Sequence, residues 1–320
     1  MRIIFMGTPG FAASILKPLA ESRHEVVLAV SQPDRPKRRG HALAPTEVHA
    51  LADSLGIPVF QPDKVRKPEC VQVLREYHPD VIAVAAFGQL LPKRILSLPR
   101  YGCVNVHPSL LPKYRGPSPI PWAIRNRDKV TGVTIMQMSP GMDEGDILLQ
   151  KEIAIDPEET ADSLFLKAEA VGGPLLLEAL DRIEAGTITP VPQDGSLSSY
   201  SHKIEKEDGK VDWNQPAEEL EAFVRALTSA PGAWTKLDGK IVKLWKVRAV
   251  PAGSGRQMPE GTPCGTVVKV EKNSFDVLCA EGSLRVLELQ LQGRKRMDSG
   301  AFLRGSRLTE GTVFEAFDEH

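Results

Sequence analysis

Arg2-Ile3-Ile4-Phe5-Met6-Gly7-Thr8-Pro9-Gly10-Phe11 decides the fold. An apolar run of strand length ends at a Gly-Thr-Pro-Gly turn and gives way to an amphipathic helical pattern through residue 21. The same alternation repeats. Apolar runs at 26–30, 59–60 and 81–86 are separated by helical patterns at 46–55 and 69–77. Strand and helix in strict alternation mean βαβ units, because parallel neighbours need a helical crossover. The first half is therefore a doubly wound α/β sheet. Ligands in such sheets sit beyond the carboxyl ends of the strands. Three loops qualify, at 7–11, 87–92 and after Val104, and they are expected to share one cleft.

The 320 residues suffice for two cores, and a net charge of −1 demands no polyanionic partner globally. Four cysteines, Cys70, Cys103, Cys264 and Cys279, form no C-x-x-C pair and suggest neither a disulfide framework nor structural zinc. No leader pattern precedes the first strand and no apolar run has membrane-spanning length. The expectation is a cytoplasmic protein without a membrane partner, and a monomer.

Beyond the first half, 131–138 reads as a strand, 141–146 as a tight loop and 147–155 as its return. A long helical pattern at 160–184 is expected to be loosened by Gly172-Gly173-Pro174. The first domain then spans 1–187 and an aperiodic linker 188–205. The second domain, 206–320, holds one helix (217–228) and short strands at 234–237, 240–250, 266–270, 274–279 and 284–291. Leu287, Leu289 and Leu291 alternate with polar residues, the period of a sheet with one wet face. Five short strands suggest a small barrel of the oligonucleotide-binding kind. Trp213, Trp234 and Trp245 are expected in its core.

Reactive side chains crowd at Asn105-Val106-His107-Pro108-Ser109-Leu110-Leu111-Pro112, and again at Gly141-Met142-Asp143-Glu144-Gly145-Asp146. Asn105 and His107 lie two apart on a strand end, so their side chains share one face. An amide donor can stabilise a developing oxyanion and an imidazole can move a proton near neutral pH. A carboxylate at Asp143 would favour the charged imidazole and fix its tautomer. The blander reading is a structural histidine, a turn asparagine and an Asx turn. Cys103 has no activating base nearby in sequence and is assigned no chemistry. The loop after the first strand lacks G-x-G-x-x-G, and Pro9 removes a backbone donor, so a dinucleotide enzyme is not expected. Arg35-Pro36-Lys37-Arg38-Arg39-Gly40-His41 is a basic loop on the ligand side of the sheet, suited to phosphates or a nucleic-acid end. Basic residues of the second domain, Lys243 and Lys246 among them, could track a phosphate backbone if they cluster.

The Asn105-x-His107 motif with Pro108-Ser109-Leu110-Leu111-Pro112, and Asp143 in its glycine loop, resembles the signature of the folate-dependent formyltransferases. Gly7-Thr8-Pro9-Gly10-Phe11, Gln32-Pro33-Asp34-Arg35-Pro36, the segment 131–138 and Lys210-Val211-Asp212-Trp213 extend the resemblance essentially end to end. They point to the branch whose acceptor is methionine esterified to initiator tRNA. The resemblance implies a Rossmann-like catalytic domain with helices on both faces and a C-terminal OB-like barrel that helps hold the tRNA. It implies 10-formyltetrahydrofolate as co-substrate, and no metal is expected. Asn105, His107 and Asp143 become the catalytic set. Phe87, Gly88, Gln89, Leu90, Leu91, Ser109, Leu110, Leu111 and Pro112 become the folate-binding set. Arg35, Lys37, Arg38, Arg39, Lys203, Lys206, Lys243 and Lys246 become the tRNA contacts. One departure is Lys37-Arg38, where the family usually has Ala-Gly, which stiffens the loop and adds charge. The competing readings are formyl transfer to a small amine such as glycinamide ribonucleotide or an amino sugar nucleotide, a 10-formyltetrahydrofolate hydrolase, and a non-catalytic tRNA-binding module. A second domain with basic clusters speaks against the first of these, glycinamide ribonucleotide. The hydrolase would be expected to carry a further domain ahead of the catalytic one.

Overall fold

Five of the seven strands of the first sheet run parallel, from one edge inward. In the computed structural model, which describes residues 1–36, 43–228, 230–253, 259 and 261–315, the chain packs into two units. The first comprises Met1–Pro119, Val130–Ala154 and Phe165–His202; the second comprises Ile120–Lys129, Ile155–Leu164 and the chain from Lys203 onward. The first unit begins β1 (Arg2–Gly7), α1 (Gly10–Ala20), β2 (Glu25–Val30), a short hairpin β3 (Arg35–Pro36) and β4 (Leu43–Ala44), then α2 (Glu47–Ser54). There follow β5 (Val59–Phe60), α3 (Pro68–Glu76), β6 (Val81–Ala85), α4 (Lys93–Leu96) and β7 (Cys103–His107). After α5 (Pro119–Arg125), which from Ile120 on belongs to the second unit, come β8 (Val130–Gln137), β9 (Ile147–Ala154) and α6 (Ala161–Glu184), whose first turn up to Leu164 is also counted with the second unit.

The sheet order is β5-β2-β1-β6-β7-β8-β9. Pairing is parallel from β5 to β7 and antiparallel across β7–β8 and β8–β9. The central strands are buried on both faces, which is why β1 and β6 read as unbroken apolar runs. Strand order reverses between β1 and β6, so the switch point lies at the ends of these strands, beside β7.

The long helix is not loosened at Gly172-Gly173-Pro174; α6 runs unbroken through them. A Cβ at Gly172 would lie 2.7 Å from Ile15 Cδ1, and one at Gly173 2.6 Å from Pro18 Cγ. The glycines serve the close approach of α6 to α1, and that packing outweighs their low helix propensity. The first part of the stretch read as a linker is also bound into this unit. Val191 exchanges backbone bonds with Ile147, and Arg115 pairs with Tyr200.

The second unit holds α7 (Ala217–Ala226), β10 (Ala233–Leu237), β11 (Lys240–Val250), β12 (Val267–Val270), β13 (Phe275–Leu278) and β14 (Ser283–Leu291). A short β15 (Met297–Asp298) and α8 (Ser299–Gly305) complete it. All five expected strands are present, in the antiparallel order β10-β11-β14-β13-β12. The C-terminal segment bridges the two edges: Thr312 and Phe314 bond to Val267 and Gly265, while Glu315 N donates to Lys236 O. The sheet thereby curls into a barrel-like body around Trp213, Phe275, Phe302 and Phe314. In β14 the leucine alternation holds only locally. Leu284, Val286 and Leu289 are the buried apolar residues, because a register shift against β11 changes the phase between them. Trp213 and Trp234 are buried as expected, but Trp245 is half-exposed, with Lys243 Nζ 5.8 Å and Arg296 Cζ 5.2 Å from its ring centroid.

Candidate active site

β7 sets the site. Val106 packs toward α6, where its Cγ1 would lie 3.2 Å from a Cβ at Gly172. Alternation therefore turns Cys103, Asn105 and His107 to the other face of the sheet. Cys103 is buried in the core there, and burial pushes its thiol up to about 12. That agrees with assigning it no chemistry.

His107 is buried, and its Nε2 lies 2.9 Å from the Tyr114 carbonyl oxygen. A carbonyl only accepts, so Nε2 carries the hydrogen and the neutral ring keeps its lone pair on Nδ1. Nδ1 faces Asp143 Oδ2 at 3.7 Å, within ion-pairing range and too long for a hydrogen bond. The sequence had suggested that Asp143 sets the tautomer; in the structure Tyr114 sets it. The N–H committed to Tyr114 is not available to an oxyanion. Asn105 is half-buried, and its carboxamide has no hydrogen-bond partner among the described residues. It is the free donor beside the imidazole.

Asp143 reaches this point from the β8–β9 loop. Its backbone is left-handed, with φ 54°, a conformation that aspartate tolerates better than most residues. Gly116 N donates to Oδ2 at 2.7 Å. Gly145 follows because no side chain fits: a Cβ there would overlap the Gln137 carbonyl oxygen. Gly145 is therefore demanded by close backbone approach, whereas a Cβ at Gly141 would meet only the Glu144 side chain.

The loop after His107 is fixed by polar bonds beneath it. Thr134 Oγ1 donates to Ser109 O at 2.6 Å and accepts from Leu111 N at 3.1 Å, and Gln150 Nε2 donates to Leu111 O at 2.8 Å. Ser109 and Leu111 are buried, while Leu110 and Pro112 are half-buried. In the β6–α4 loop, Phe87 and Leu91 belong to the core. Gly88 is exposed, Gln89 Oε1 accepts from Val65 N, and Leu90 is 73 % exposed. Within the expected folate set, the structure separates buried supports from a presenting edge.

At the switch point Thr8 Oγ1 and Gln32 Nε2 both donate to Phe87 O, at 3.3 and 3.0 Å. These contacts form one wall of a cleft of about 350 Å³, whose lining includes Thr8, Gln32, Arg35, Ala86 and Gly88. Two of the three expected loops share this cleft. The third, after β7, does not line it.

Among the expected tRNA contacts, Lys37, Arg38 and Arg39 lie outside the described residues. Arg35 is exposed and reaches Gln32 Oε1 at 3.4 Å. Lys203 pairs with Glu205 at 2.6 Å, Lys206 and Lys246 are exposed, and Lys243 donates to Pro231 O at 2.7 Å. Lys210-Val211-Asp212-Trp213 has a structural account: Val211 N donates to Trp234 O, Asp212 caps the turn at Asn214, and Trp213 Nε1 donates to Thr235 Oγ1 inside the barrel.

Sequence reasoning missed Tyr114 O and Gly116 N, because main-chain partners leave no trace in residue type. It also missed Arg115 and Gln193, the latter in a stretch with no period. A separate cluster joins the Met1 amine, Arg23, His24, Asp181 and Glu184. The carboxylates there are already neutralised by Arg23 and the amine. Burial, then the neighbouring amine and Arg23, pull the His24 imidazole below its ordinary range.

The chain has relatives among known proteins. The family described as "Formyl transferase" matches residues 1–180, and "Formyl transferase, C-terminal domain" matches residues 203–307. The chain is similar to methionyl-tRNA formyltransferase of Lachnospira eligens, 48% identical over 98% of this chain and 99% of that protein. It is 47% identical to methionyl-tRNA formyltransferase of Geobacter metallireducens, over 97% of each. Among solved structures it resembles HypX from Aquifex aeolicus in complex with tetrahydrofolic acid, with a TM-score of 0.64 and 21% identity over 100% of this chain. The chain spans about half the length of the HypX chains it matches, 51% in that case. It also resembles WlaRD, a sugar 3N-formyl transferase, with a TM-score of 0.63 and 18% identity over 92% of this chain and 99% of that one. The two structures share the fold. Matches that cover both units, together with relatives aligned along nearly their whole length, place the chain: it belongs to the formyl transferase family.

Proposed function

We propose that this protein transfers the formyl group of 10-formyltetrahydrofolate to the α-amine of methionine esterified to initiator tRNA. The observation that carries the reading is the convergence of Asn105, His107 Nδ1 and Asp143 Oδ2 at the end of β7, in a chain whose relatives are named for that activity. Residues 1–187 act as the catalytic domain and 206–320 as the tRNA-holding domain. The reaction needs no metal.

The acceptor amine attacks only when neutral, and attack puts negative charge on the formyl oxygen. Asn105 donates its free N–H to that oxygen. His107 takes the amine proton on Nδ1, and the imidazolium so formed is balanced by Asp143. The same proton can then leave with the folate nitrogen. The residues fit a folate: exposed Leu90 and half-buried Leu110 and Pro112 offer apolar surface, while Gly88 leaves backbone groups open. Phe87, Leu91, Ser109 and Leu111 back these surfaces, and Gln89 pins the first loop to Val65. Arg35, Lys37, Arg38, Arg39, Lys203, Lys206, Lys243 and Lys246 contact the tRNA backbone. In this reading the enzyme is a cytoplasmic monomer.

The test is a competition. The protein is incubated with 10-formyltetrahydrofolate, methionyl-tRNA and glycinamide ribonucleotide together, and the formylated product is identified. Formyl-methionyl-tRNA is expected. Formylation of the small acceptor alone, or release of formate without an acceptor product, overturns the reading.

A further inference from the structure

The Asp143 loop is held by a residue from the stretch that leads to the second unit. Arg115 is 6 % exposed, and its Nε and Nη2 both donate to Gln193 Oε1, at 3.1 and 2.9 Å. Gln193 Nε2 donates in turn to the carbonyl oxygens of Asp143 and Gly145, at 2.8 and 2.7 Å. The amide orientation is unambiguous, since the oxygen meets only guanidinium donors and the nitrogen meets only carbonyls. One side chain thus ties a buried cation to the backbone on both sides of Glu144. The bonded Asp143 carbonyl belongs to the residue whose φ is left-handed.

The same stretch braces the other partner of His107. Ser199 Oγ accepts from Tyr114 N at 2.9 Å, and Ser199 O accepts from Arg115 N at 2.8 Å. The Tyr114 carbonyl that receives Nε2–H is therefore set by residue 199, and the main chain that carries the Asp143 carboxylate is held by residue 193.

We propose that Gln193 is a positioning residue for formyl transfer: clamped by Arg115, it fixes the Asp143 backbone and with it the separation of the carboxylate from His107 Nδ1. The inference rests on Asn105, His107 and Asp143 being the catalytic set. It makes residues 191–201 part of the catalytic machinery. Glutamine is required because the position must accept from a guanidinium and donate twice to carbonyls. Glutamate keeps the first function and reverses the second.

The experiment compares Gln193→Glu, Gln193→Ala, Asp143→Asn and the double variants with Asp143→Asn, in formylation of methionyl-tRNA and in thermal unfolding. Gln193→Glu keeps an acceptor for Arg115 and turns its hydrogen bonds into an ion pair, so its unfolding temperature stays near the parent value. Its kcat falls by roughly tenfold to a hundredfold, the loss expected of a misplaced catalytic group. KM for both substrates stays within about twofold, because no binding surface is touched. Combined with Asp143→Asn, either Gln193 change costs little more than Asp143→Asn alone, since both act through one carboxylate. A merely structural role gives losses that multiply in the double variants, and a kcat that follows the unfolding temperature; either result overturns the proposal. If Gln193→Glu lowers stability, the multiplication test is read from Gln193→Ala. Normal turnover in Asp143→Asn removes the catalytic set itself. A large loss there with unchanged kcat in both Gln193 variants removes only this inference.

Discussion

Asp143→Asn is the substitution whose effect follows most directly from the geometry. The asparagine is isosteric, and its side-chain oxygen can still accept from Gly116 N, so the loop keeps its anchor. What disappears is one negative charge 3.7 Å from His107 Nδ1. At an effective dielectric constant of about 20, a unit charge pair at that distance is worth roughly 4 kcal/mol. The His107 side chain is 5 % exposed and the Asp143 side chain 17 %, so solvent screens the interaction only in part. The interaction matters only after Nδ1 has taken the proton, and its loss raises the barrier without weakening substrate binding. At about 1.4 kcal/mol per tenfold, kcat should fall by roughly a hundredfold to a thousandfold. The assay is steady-state formylation with both substrates saturating, with tRNA affinity measured in parallel. A kcat within about threefold of the parent enzyme would refute the role assigned to the carboxylate.

Two further outcomes follow from packing and titration. Gly145→Ala places a methyl group into the Gln137 carbonyl, which is main chain and cannot swing aside. The variant should lose about 1–3 kcal/mol of stability in denaturant unfolding and a larger share of kcat than of substrate affinity. His24 is held below its ordinary range by burial, then by the Met1 amine and Arg23. Between that lowered value and the unfolded imidazole's 6.5, the unfolded chain binds more protons, so stability drops as pH falls through this window. His24→Gln should flatten the decline of Tm between pH 7 and pH 5; an unchanged slope would contradict the assignment.

The alternation of strands and helices in the first unit, and with it the doubly wound sheet, was largely legible, because strands buried on both faces leave apolar runs and each crossover leaves a helical period. Asn105, His107 and Asp143 were legible as residue types beside glycine and proline. The geometry that gives them meaning was not. Tyr114 and Gly116 act through the main chain, and any residue type supplies a carbonyl or an N–H. Gln193 lies in a Pro, Gly, Ser and Thr-rich stretch where no period marks a contact. Gly172 and Gly173 looked like helix breakers because sequence shows their propensity and hides Ile15 and Pro18 packed against them. Trp245 looked like core because size and aromaticity do not reveal which face of β11 is wet. The barrel's closure by residues 311–315 escaped notice for a related reason: a segment bridging two sheet edges carries no alternation of its own.

The central claim is that the Asn105–His107 pair at the end of β7 performs the transfer. Its most direct test is formylation of methionyl-tRNA by His107→Ala, with tRNA affinity measured on the same preparation. The account predicts a fall in turnover of about a hundredfold or more with tRNA affinity largely intact. Near-normal turnover in that variant would contradict it.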